Sequence, residues 1–103
     1  MTTLAPTAAL EDIQQKLASG ALAEAGAVID DLWQDCSADP NLGYLKALCY
    51  RLSNDPLNAL KVLTELSQQQ PNMARAYQEI ALNSLSLNKP AEALTAADTA
   101  VAL

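Results

Sequence analysis

The sequence contains no histidine and no phenylalanine, and only three glycines, two cysteines and six basic residues among 103. Each shortage removes a class of reading. Without His, the His-dependent catalytic triads and most zinc sites are excluded. So few Gly leave an all-β fold short of turns. The six Lys and Arg are scattered singly against twelve Asp and Glu, for a net charge of −6, which is the opposite of a basic nucleic-acid surface. No run approaches the roughly 20 apolar residues of a membrane span. The opening Met1-Thr2-Thr3-Leu4-Ala5-Pro6 has neither the basic nor the apolar region of a secretory signal. A cytoplasmic protein is expected, with Cys36 and Cys49 as free thiols acting as small hydrophobes.

Catalytic and phosphate-binding patterns are missing too. There is neither a GxGxxG nor a GxxxxGK[ST] stretch. The acid pairs Glu11-Asp12 and Asp30-Asp31 are adjacent, so on a helix they point about 100° apart and read as solvated faces. The expectation is a protein that is not an enzyme and uses no cofactor and no metal.

What remains is half apolar, and mostly Ala and Leu, the best helix formers. The length fits one domain, 1–103. Self-similarity organises it. Gly20, Asn54 and Asn88 lie 34 residues apart, as do Ala25, Ala59 and Ala93. The same register joins Val28, Val62 and Ala96, then Ile29, Leu63 and Ala97, then Leu32, Leu66 and Ala100. The chain divides without insertion into units 6–39, 40–73 and 74–103.

Punctuation splits each unit into two helices. Asp39-Pro40 and Asp55-Pro56 offer an N-cap followed by Pro at the first helical position, where its missing N–H costs nothing. Gln70-Pro71-Asn72 ends one helix and opens the next. Helices are expected at about 7–19, 22–36, 41–53, 56–69, 73–87 and 90–103. Apolar stripes such as Leu57, Leu60, Leu63 and Leu66 give each a buried face. Ala47, Ala59, Ala81 and Ala93 allow paired helices to approach closely.

The third unit, Ala74-Arg75-Ala76-Tyr77-Gln78-Glu79-Ile80-Ala81 with Ala93, Ala97 and Ala100, resembles a tetratricopeptide repeat. Tyr77 stands at that family's aromatic position, Ile80-Ala81 at its Leu-Gly pair, and Pro71 at its closing proline. The second unit matches at Ala47, Tyr50, Ala59, Leu63 and Leu66 and departs at Gly43 and Lys46. The first matches in its second helix, whereas Ala9 and Asp12 break the pattern of its first. The resemblance implies an all-α superhelix of about six antiparallel helices, with the first helix of each pair on a concave face.

By that resemblance the concave face carries Leu10, Gln14 and Leu17, then Asn41, Tyr44, Leu48 and Arg51, then Arg75, Gln78, Leu82 and Leu85. The set expected to touch a partner peptide or helix is Tyr44, Leu48, Arg51, Arg75, Gln78 and Leu82. Leu48, Leu82 and Leu85 also fit a core role, and Arg51 and Arg75 also fit a solvated surface. The Lys/Asn/Arg clamp with which some family members grip a C-terminal carboxylate is absent, because its places hold Leu10, Gln14, Tyr44, Leu48 and Arg51. Trp33 reads as a packing residue more than as a binding anchor.

The function expected is a protein–protein interaction or scaffold module, with no nucleic acid and no membrane as partner. Two alternatives stay open. One is the N-terminal region of a larger bacterial enzyme, since Gln70 to Glu79 and Asn88 to Ala93 resemble tetratricopeptide regions that precede a sulfotransferase-like domain. The other is a small secretion-type chaperone. The last helix ends at Leu103 with an apolar face, so self-association there, or continuation into a longer protein, is also expected.

Overall fold

In a computed structural model, which describes residues 3–103, the chain is all-α. Its helices are α1 (Thr7–Ser19), α2 (Leu22–Cys36), α3 (Pro40–Leu52), α4 (Pro56–Gln69), α5 (Ala74–Ser86) and α6 (Pro90–Ala102). The expected bounds hold at α1, α2 and α4. Elsewhere they shift by one residue: α3 begins on Pro40 itself, α5 loses one residue at each end, and α6 stops at Ala102. Consecutive helices pack on each other, and α3 also reaches α1 and α5. Connections this short turn each helix back along its predecessor.

The 34-residue register is written into the backbone. Gly20, Asn54 and Asn88 all take the left-handed conformation, with φ of 84°, 62° and 58°. After each first helix the chain closes the same pair of hydrogen bonds. Ala21, Asp55 and Lys89 donate their N–H five residues back, to Lys16, Tyr50 and Ser84, at 2.8, 2.9 and 2.8 Å. Gly20, Asn54 and Asn88 donate three residues back, to Leu17, Arg51 and Leu85. This Schellman closure satisfies the last carbonyls of each helix and sends the chain into the next one. It favours Gly and Asn because both tolerate positive φ.

Helix starts are less uniform. Asp39 accepts the Asn41 N–H at 2.9 Å, and Asp55 accepts the Asn58 N–H at 3.3 Å. Lys89, in the equivalent place before α6, makes no side-chain cap. Asp39 does more than its sequence position announces. Its other oxygen accepts the Ala5 N–H at 2.8 Å, so one buried carboxylate caps α3 and ties down the segment before α1.

The core thins along the array. Between the first two units it holds Ile13, Leu17, Ile29, Leu42 and Leu45, with Ala25 letting α2 sit close. Each such aliphatic contributes about 1.5–3 kcal/mol on burial. The break in pattern at Ala9 and Asp12 leaves α1 intact, since Ile13 and Leu17 supply its buried stripe and Asp12 pairs with Lys16 at 2.6 Å. Between the second and third units the core shrinks to Ala47, Leu63, Leu66 and Ala76. Besides Ala76, the buried positions of α5 and α6 are Glu79, Asn83, Ser84, Ala93 and Ala96.

Cys36 and Cys49 are buried and form no disulfide. Trp33 packs partly against the first core, and Lys46 places its ammonium 3.9 Å from the ring centroid. The contact is a cation–π pair between α2 and α3. No described helix is long and apolar enough to cross a membrane.

Candidate functional site

A groove of about 740 Å³ opens on the side of the first helices. One wall is α1, through Thr7, Leu10, Glu11 and Gln14. The other is α3, through Asn41, Tyr44, Leu48 and Arg51, and Arg75 closes one end from the first turn of α5. The repeat explains this meeting. Thr7, Asn41 and Arg75 are one period apart, as are Leu10 and Tyr44, then Gln14 and Leu48. Stacked units place such residues side by side.

The groove is apolar at its floor and polar at its rim. Leu17 and Leu45 form part of the floor and are nearly buried, so Leu17 belongs to the core as much as to the concave face. Leu48 is half-buried and packs against the first core while still lining the groove. Both readings of that residue apply at once.

The two arginines differ. Arg51 donates from Nε to Glu79 Oε1 at 2.7 Å, across α3 and α5, so its charge is matched within the protein. Arg75 hydrogen-bonds the Asn41 side-chain oxygen and lies with its guanidinium carbon 4.8 Å from the Tyr44 ring centroid. Among the described residues no carboxylate pairs with it. Tyr44 and Asn41 therefore orient a cation whose charge remains available to a ligand.

Gln78 and Leu82 fall elsewhere. They line a separate hollow of about 360 Å³ with Ala81, Ala97, Ala100 and Val101. Leu82 and Leu85 are 46% and 60% exposed, so neither is core. Of the six residues expected to meet a partner, the groove gathers Tyr44, Leu48, Arg51 and Arg75. Thr7, Glu11, Ala18, Leu45 and Leu52 also line it and were not anticipated. Each shares its register with another lining residue, Thr7 with Asn41 and Arg75, Glu11 with Leu45, and Ala18 with Leu52.

Chemically the groove offers an aliphatic floor, amides from Gln14 and Asn41, the Glu11 carboxylate on the α1 wall, and one oriented guanidinium by α5. Among the described residues no three His, Cys, Asp or Glu lie close enough to hold a metal ion. Burial raises the Cys49 thiol pKa, the nearby Asp30 charge raises it further, and a hydrogen bond with Ser53 partly opposes them. That is the reverse of an activated thiolate. No protein-family model matches the chain, and neither do any curated protein or solved structure.

Proposed function

We propose that the chain is a tetratricopeptide-like interaction module, non-catalytic and cytoplasmic, that holds a segment of a partner protein in the groove between α1 and α3. The observation that carries this reading is the pairing of an aliphatic floor with an arginine that is oriented but unneutralised. Leu10, Leu48 and Leu52 take apolar side chains of the segment. Gln14 and Asn41 hydrogen-bond its backbone or amides, and Arg75 takes a carboxylate. The groove volume suits a few side chains of a peptide in helical or extended form.

Selection from a random peptide library displayed on phage tests the proposal. Enriched peptides should combine large apolar residues with an acidic one. Leu52→Glu and Arg75→Glu should each weaken their binding at least tenfold, both with unchanged circular dichroism. Peptides that bind both variants as tightly as the parent would place the interaction elsewhere.

A further inference from the structure

Gly26 lies inside α2, where the repeat places leucine one and two periods later, at Leu60 and Leu94. A glycine within a helix destabilises it relative to alanine. Packing does not require this one, because a Cβ there would meet the Cys49 Sγ at 3.9 Å, an ordinary contact. What the glycine leaves is room. Between α2 and α3 opens a hollow of about 410 Å³, walled by Leu22, Gly26 and Ile29 on one side and by Cys49 and Tyr50 on the other. One period on, between α4 and α5, leucine stands in place of the glycine. There the counterparts of Cys49 and Tyr50, Asn83 and Ser84, are 0% and 2% exposed.

The charge around this hollow is uneven. Asp30 and Asp55 line it against the single base Lys46. Lys46 holds its ammonium 3.9 Å from the Trp33 ring centroid, and among the described residues neither Asp30 nor Asp55 is ion-paired. Asp55 accepts hydrogen bonds from Asn58 as the cap of α4, whereas Asp30 is exposed. The field of Asp30 reaches the wall of the hollow: burial raises the Cys49 thiol pKa, and the Asp30 charge raises it further against a Ser53 hydrogen bond. An anion here would face two carboxylates. A cation would face them with the one competing ammonium already seated on Trp33.

We propose that this hollow is a second binding site, for a small organic ammonium whose apolar body fills the space beside Gly26 and whose charge lies toward Asp30. Its volume falls within the roughly 300–1,000 Å³ of small-molecule pockets. Burial of the apolar body supplies most of the affinity, and the exposed carboxylates select the sign of the ligand's charge. The site is separate from the peptide groove. Helix α3 turns Tyr44, Leu48 and Arg51 to the groove and Lys46, Cys49 and Tyr50 to the hollow, so the two fill independently.

Amide shifts of the full chain, followed by NMR as n-hexylammonium, n-hexanol and n-hexanoate are added in separate titrations, test this. The expected result is saturable shifts at Gly26 and Ser53, with the ammonium bound about threefold tighter than the alcohol and about tenfold tighter than the carboxylate. Asp30→Asn should remove most of the preference for the ammonium over the alcohol. Gly26→Leu should fill the hollow and abolish the shifts with all three probes. It should also raise the melting temperature, since leucine is the better helix former, so the lost binding is not lost folding. Absence of saturable shifts with the ammonium would overturn the proposal. So would hexanoate binding as tightly, a preference unchanged by Asp30→Asn, or undiminished ammonium binding in Gly26→Leu.

Discussion

Arg51 and Glu79 form a 2.7 Å ion pair that joins α3 to α5, and the Glu79 side chain is only 5% exposed while that of Arg51 is 31% exposed. The pair fastens the third unit to the second where the apolar core has thinned to alanine. Removing one partner leaves the other charge without a match in a site poor in water.

Glu79→Gln should therefore cost about 1–3 kcal/mol, less than the 3–5 of a fully buried pair because Arg51 keeps solvent. Replacing both, as Arg51→Met with Glu79→Leu, should recover most of that loss. Urea denaturation of the single and double variants decides. A double variant as unstable as the sum of its parts would show that the two residues do not act together.

The three left-handed turns give a prediction of opposite signs. Asn54→Gly and Asn88→Gly should be neutral or stabilising. Gly20→Ala should lose about 1 kcal/mol, because φ of 84° is costly for any residue with a Cβ. Gly43 lies within α3, and a Cβ there would meet Leu66 Cδ1 at 3.6 Å, an ordinary contact. Gly43→Ala should gain about 0.5–1 kcal/mol in helix propensity. Thermal melts that moved Gly20→Ala and Gly43→Ala in the same direction would contradict this account of the turns.

Asp39 should matter more than Asp55. Asp55→Ala removes a helix cap, worth about 1 kcal/mol. Asp39→Ala removes a cap and also strands the buried Ala5 N–H, so a loss of about 2–4 kcal/mol is expected. Hydrogen exchange at Ala5 should rise toward the unfolded rate in Asp39→Ala. Continued protection there would mean that another acceptor holds the segment.

Much of this organisation was legible in the sequence, and the reason is the repeat. Gly20, Asn54 and Asn88 share one backbone geometry, so a period of 34 residues located the turns and, through them, the helices. The same period underlies the meeting of Asn41 and Arg75, which stand 34 residues apart and hydrogen-bond in the fold. It could not forecast Arg51 with Glu79, because that pair depends on how far one helix slides past another and its spacing of 28 is not a period. Nor could register separate Gln78 and Leu82 from the groove. Register assigns a face of a helix, whereas a groove also needs a facing wall, and α1 with α3 supply one that α5 lacks.

The Cys49 thiol links stability to pH. Its folded pKa is raised, mainly by burial, above that of an unfolded thiol at about 8.5. The folded chain holds this proton more tightly, so the contribution is fully present below the unfolded pKa and is lost as pH rises through the folded one. Relative to Cys49→Ala, the parent should lose stability above about pH 8.5 and run parallel to it below. Urea midpoints for the two chains that stay parallel at every pH would refute the linkage.

The central claim is that the groove between α1 and α3 is where a partner is held. Backbone amide shifts of the protein, followed by NMR as a library-selected peptide is added, test it most directly. The account predicts that the changes cluster at Leu10, Gln14, Asn41, Tyr44, Leu48 and Arg75. Changes concentrated on α2, α4 or α6, with those six residues still, would contradict it.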